Sequence, residues 1–187
     1  MKTIILCAGL ATLPCVLLAD IPLGRGGIST SATATATYDS NVFGTHDATG
    51  DFSGTIAPRI SYARKSGEIE AEAHAEIFFI RYLEQTQLNA SNWDTGAALR
   101  IPQSDIRNYS GSVNATYVES SNVNSDINTR VDVKTGTFGA LADLVTGPRS
   151  DVSLSGNYND TRPSVGSDQQ MLTTQGVYSY KDFFNGN

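Results

Sequence analysis

The stretch Gly67 to Tyr82, GEIEAEAHAEIFFIRY, constrains the fold more than any other part of the chain. Its Glu and Ala content favours helix by propensity. Its order does not. Ile69, Ala71, Ala73, Ala75, Ile77 and Phe79 fall on every second position, with Glu68, Glu70, Glu72, His74 and Glu76 between them. On a helix this order scatters carboxylates around the whole circumference. On a strand it puts all the apolar groups on one face and all the charges on the other. The Ser66-Gly67 pair before it suits a tight turn, so the segment reads as a strand.

The same two-residue period runs through the chain. Ile28, Ala32, Ala34, Ala36 and Tyr38 oppose Ser29, Ser31, Thr33, Thr35 and Thr37, and Phe52, Ile56, Pro58, Ile60 and Tyr62 oppose Ser53, Thr55, Arg59 and Ser61. Similar runs surround Trp93–Ile101, Tyr109–Tyr117, Val152–Tyr158 and Leu172–Tyr180, while Asn128–Val145 is less regular. That makes about eight strands of roughly nine or more residues. Strands in soluble sheets are usually nearer five or six, whereas a tilted strand crossing a bilayer needs about nine to eleven. The connections alternate too. KSG, PQSD and TGPRS are short turn signals, and the 39–51, 84–92, 120–126 and 161–170 stretches are longer and polar, the asymmetry of an outer-membrane barrel. No helical pattern separates the strands, so parallel units are not expected.

The N-terminus, Met1-Lys2 followed by TIILCAGLATLPCVLLA, has the charged start, apolar centre and small end residue of a secretory signal peptide. We assign it to residues 1–19, with 20–27 as an N-terminal periplasmic segment and 28–187 as the barrel domain. Both cysteines, Cys7 and Cys15, fall within the leader. The exported chain then has no disulfide, thiolate metal site or cysteine nucleophile. The formal net charge is −6 and one of the few cations, Lys2, leaves with the leader. An acidic balance of this kind excludes a nucleic-acid partner, which needs a basic face.

A soluble β-sandwich also alternates, and a secreted or surface β-sheet adhesin or structural module is the rival reading. Three features favour a bilayer. The apolar rows are rich in Ala, Gly and Thr, which fill a protein core badly but suit adaptable lipid tails. Aromatics lie near strand ends, at Tyr62, Phe79, Tyr82, Trp93, Tyr109, Tyr117, Tyr158 and Tyr180. Tyr109 and Tyr117 share a face about 26 Å apart along a strand, a spacing that fits two interfacial belts. Finally, an exported chain without disulfides lacks the usual staple of small secreted domains.

At TATYDSNVFG, followed by FSGTIAPRISYAR, the chain resembles a bacterial family of outer-membrane barrels, the β-barrel porin 2 family, some members of which are associated with exopolysaccharide operons. The residues that carry the resemblance are Tyr38, Asp39, Ser40, Asn41, Val42 and Phe43, with Pro58, Ser61 and Tyr62 in the next strand. The resemblance implies porin-like passage of small polar solutes or a role in exopolysaccharide export. It also implies residence in a bacterial outer membrane, the barrel-assembly machinery as a partner and polysaccharide as a candidate partner; the residues themselves mark no enzyme or cofactor motif, and a membrane-embedded hydrolase using His74 with Glu72 or Glu76 is the third reading. Family members are much longer, and Asn185-Gly186 is a hairpin signal. The chain therefore reads as an all-β, antiparallel, up-and-down transmembrane barrel of about eight strands: either the N-terminal half of a larger barrel, which would on its own be an open curved sheet, or a complete eight-stranded one. Its oligomeric state is not legible.

If the apolar parity faces lipid, the charged parity faces the lumen. The lumen-facing charges are then Arg59, Lys65, Glu68, Glu70, Glu72, His74, Glu76, Asp94, Arg100, Arg130, Asp132 and Lys134. A two-residue turn at Ser66-Gly67 would set Lys65 opposite Glu68 and Arg59 opposite His74. No nucleophile is marked beside His74, and no metal-ligand spacing of the usual kinds occurs. His46 with Asp47 and Asp51, in the first long loop, reads as solvated.

Overall fold

The computed structural model describes residues 19–124 and 129–180. It is one antiparallel sheet of nine strands in sequence order, β1 Ala19–Leu23, β2 Gly26–Asp39, β3 Asp51–Arg64, β4 Glu70–Tyr82, β5 Ala90–Ile101, β6 Tyr109–Asn124, β7 Thr129–Gly147, β8 Ser150–Pro163 and β9 Gln169–Tyr180. A short 3-10 turn, Thr86–Leu88, is the only helical element among the described residues. The sheet is open and curved, and β1 and β9 do not pair. The leader assignment falls largely on residues 1–18, outside the described residues.

The two-residue period acts as expected: the acidic stretch is strand β4 and not a helix. Eight strands were expected and nine are found. The extra one, β1, takes Ala19, assigned to the leader, and residues 20–23 of the segment assigned to a periplasmic lead-in. Ala19–Leu23 pairs with Gly26–Thr30 through a turn at Gly24, whose φ of 59° favours glycine. The loop asymmetry is weaker than the sequence implied. β6 extends into the 120–126 stretch, and β8 and β9 take both ends of 161–170, so less of those two stretches is left to loop. PQSD, expected as a tight turn, belongs to the longer 102–108 connection.

The turn between β3 and β4 spans 65–69 rather than two residues. Arg59 therefore pairs with Glu76, and Ser61, not Arg59, faces His74. The slip is even-numbered, so every side chain stays on its expected face while its partner changes.

One face of the sheet is apolar and uncovered. Ile28 lies across from Tyr62, Ala34 from Ile56, Ala71 from Leu99, Leu99 from Val113, Ala142 from Leu154 and Tyr158 from Leu172. Ile56, Leu99 and Leu154 are 58%, 51% and 59% exposed. Among the described residues only Val42, Ala57 and Leu88 are buried hydrophobics.

Candidate functional site

The opposite face carries the polar parity. On β3, β4 and β5 it is a ladder of charges. Arg59 Nη1 donates to Glu76 Oε2 at 3.0 Å. Glu76 stands directly across from Asp94, and His74 Nε2 lies 3.2 Å from Asp94 Oδ1. Two carboxylates in register repel. Here a guanidinium on one side and an imidazole on the other flank the pair. His74 faces Gly96, where a β-carbon would come within 2.7 Å of its Cε1, so the ring occupies the room glycine leaves. Glu70 opposes Arg100 in register, and Lys65 Nζ reaches Glu72 Oε1 at 3.8 Å.

From β6 to β9 the same face is rich in hydroxyls and amides, with Asp143 and Asp151 as its acids. Thr116 and Thr137 hydroxyls bond across β6 and β7. Asp143 accepts from Ser110 at 3.4 Å and from Ser153 on its other side. Asn114 and Asn157 both fold over Gly139, where a β-carbon would lie 2.6 Å and 3.0 Å from their Oδ1 atoms. The polar face thus has a charged half and a hydroxyl-lined half.

The register brings together seven of the twelve charges expected on one face: Arg59, Glu70, Glu72, His74, Glu76, Asp94 and Arg100. Lys65 and Glu68 lie in the β3–β4 turn, at the edge of that ladder. Arg130, Asp132 and Lys134 lie beyond that ladder, on the β6–β7 hairpin. Along β7 they share parity with Phe138, Ala142 and Leu144, and Lys134 Nζ pairs with Glu119 at 3.6 Å on the row of Tyr117. The physical reason is that the β5–β6 ladder stops at Asp94–Val118. Beyond it the β6–β7 hairpin overhangs the body of the sheet, and no sheet-wide face sorts its side chains. The overhang reaches back toward the loops. Ser121 Oγ donates to Asn92 Oδ1 at 2.6 Å, and the Arg130 guanidinium lies 5.8 Å from the centre of the Tyr82 ring, a cation–π geometry.

Tyr82 is corrected. It pairs in register with Ser53 and has the parity of Glu76, so it lies on the polar face and not in an aromatic belt. The other expected aromatics lie on the apolar face. Phe79, Trp93, Tyr117 and Tyr158 stand toward the loop end, where Tyr38 and Phe52 meet with ring centres 4.7 Å apart. Tyr62, Tyr109 and Tyr180 stand toward the turn end.

The Tyr38–Phe43 motif builds the first long loop. Asp39 Oδ1 accepts from the Asn41 amide at 2.9 Å, Asn41 Nδ2 donates to the Thr45 carbonyl at 2.7 Å, and the Val42 amide donates to the Thr49 carbonyl at 2.9 Å. Val42 is tucked in and Ser40 faces solvent. Sequence reasoning missed the partner of this loop. Asp51, buried at the start of β3, accepts backbone amides from Phe52 at 2.7 Å and Gln85 at 2.8 Å, and from Glu84 on both oxygens. That carboxylate ties the β4–β5 loop to the sheet and is not free for a cation with His46. Asp51 carried no sequence signal beyond being an acid at a strand start.

Among the described residues no group of three His, Asp or Glu side chains is placed to hold a metal ion. In comparisons with protein-family models, curated proteins and solved structures, nothing matches this chain. What the site offers chemically is a charged strip beside a hydroxyl-lined strip, on the reverse of a lipophilic surface.

Proposed function

We propose that the chain forms wall of an outer-membrane β-barrel, with the apolar face against lipid and the polar face lining a passage for small polar solutes. The observation that carries the reading is the uncovered apolar face on a sheet almost without buried hydrophobics. Strands of 12 to 19 residues from β2 to β9 support it, being long enough to cross a bilayer at a tilt. Antiparallel pairing also satisfies backbone groups inside hydrocarbon, leaving the sheet edges to be closed.

In this reading the Arg59–Glu76–Asp94–His74 ladder faces the hydroxyl-lined half across water. Charge on one wall and hydroxyls on the other bias a passage toward polar and ionic solutes. The porin-like role, or the part in exopolysaccharide export, that the Tyr38–Phe43 resemblance implies belongs to this same proposal.

The test has two arms. Heat-modifiable migration on an unboiled gel, with outer-membrane fractionation, examines the barrel. Single-channel conductance in planar bilayers examines the passage. Discrete current steps are expected, and a folded, membrane-inserted protein without steps would remove the passage while leaving the barrel.

A further inference from the structure

We propose that the turn end of the sheet holds the phosphate headgroup of an anionic phospholipid, through Arg25, Arg64 and Arg107. The inference rests on the bilayer reading and names a lipid that the wall selects. The three arginines come from three different connections. Arg25 lies in the β1–β2 turn, Arg64 ends β3, and Arg107 lies in the β5–β6 connection. All converge on the β3–β4 turn. A β-carbon on Gly67, whose φ is 100°, would lie 3.2 Å from Arg64 Nη2 and 3.5 Å from Arg25 Nη1. Arg64 Nε donates to the Ser66 carbonyl at 3.3 Å, Arg107 Nη1 donates to the Glu68 carbonyl at 3.3 Å, and Ser66 Oγ donates to the Arg25 carbonyl at 3.4 Å.

None of these guanidiniums is in an ion pair among the described residues. Of the acids near this turn, Glu72 pairs with Lys65, and Glu68 meets Arg107 through its backbone carbonyl. Cations brought together without a counter-charge repel, and an anion bridging them relieves that repulsion. Guanidinium forks match phosphate oxygens in geometry.

The surroundings distinguish a lipid from a free phosphate. Arg64 has the parity of the apolar face, directly across from Ala71, whose other neighbour is Leu99. Ile69, in the same turn, is 47% exposed, and Ile106, next to Arg107, is 93% exposed. Cations rimming an apolar surface, with bare isoleucines among them, fit an amphiphile whose phosphate meets the guanidiniums while its chains lie along the face.

The full chain, refolded into vesicles of phosphatidylcholine or of phosphatidylcholine with phosphatidylglycerol and then extracted in mild detergent, tests this by native mass spectrometry of retained lipid. The unmodified protein should insert into both vesicles and retain phosphatidylglycerol preferentially. Arg25→Gln, Arg64→Gln and Arg107→Gln should each weaken that preference about fivefold, and the Lys variants should largely keep it. Raising ionic strength on the unmodified protein should erase the preference, a readout that needs no variant to fold. Insertion with equal retention of the two lipids overturns the headgroup site and leaves the bilayer reading standing. Inorganic phosphate that abolishes the preference at constant ionic strength overturns the lipid in favour of a free anion. Failure to insert into either vesicle overturns both readings.

Discussion

The His74 imidazole fills the space that a β-carbon on Gly96 would take, and this is what lets its Nε2 reach Asp94. The consequence reaches the next strand. Asp94 sits opposite Glu76, and the imidazole is one of two groups that hold two carboxylates side by side. Replacing Gly96 with Val should push the ring off Asp94 and lower the urea midpoint of the folded protein. A conventional β-propensity argument predicts the reverse, because Gly is unfavourable in strands and Val is favourable. An unchanged or raised midpoint would show that the ring does not depend on that gap.

The Arg59–Glu76 pair is half exposed, its side chains being 39% and 15% accessible. Screening keeps such a pair modest, so a double-mutant cycle of Arg59→Gln and Glu76→Gln should return a coupling of about 0.5–1 kcal/mol, falling with salt. Arg59→Gln alone should cost more than Glu76→Gln alone. The first leaves Glu76 and Asp94 facing each other, and the second removes one member of the repelling pair.

Leu154→Arg separates the bilayer from water as the environment of the apolar face. In lipid, an outward arginine near the middle of a strand costs about 2–4 kcal/mol. In water, a charge replacing an exposed leucine is nearly neutral. Ser155→Arg, one residue along and on the polar face, should be tolerated. Refolding yields in vesicles of the two variants check this, and equal yields would place Leu154 away from hydrocarbon.

Asp51→Ala should free the amides of Glu84 and Gln85. Backbone hydrogen exchange across 83–89 should then rise while the β4–β5 ladder stays protected. Asp51→Asn keeps one acceptor oxygen and should fall between. Exchange unchanged in the alanine variant would mean that the 3-10 turn at Thr86–Leu88 holds the loop without the carboxylate.

How much of this was legible follows from what each signal measures. The two-residue period reports which face a side chain takes, and it identified β4 as a strand despite its helix-forming composition. It says nothing about which residue lies opposite. The five-residue turn at 65–69 therefore moved Arg59 from His74 to Glu76 without changing any face. Tyr82 was misplaced because its nearness to a strand end was weighed above its parity with Glu76. Alternation carries face information only where neighbouring strands continue the sheet, and β5 stops pairing with β6 at Val118, short of Arg130, Asp132 and Lys134. The short β1, ADIPL, has too few residues to show a period. The gap over Gly96 and the amide clamp of Asp51 arise from distant segments meeting, which no local pattern encodes.

The five residues of β1 govern how the two margins of the sheet could ever meet. With nine strands in strict up-and-down order, β1 and β9 point the same way, so zipping one to the other would make a parallel seam. β2 points against β9, and among the described residues its Ser31–Asp39 portion has no neighbour on the β1 side. An antiparallel seam between β9 and this margin would run along β2, and β1 would have to peel from Gly26–Thr30 for that seam to run its full length. In such a seam β1 would act as a latch over the first turn of pairing on β2.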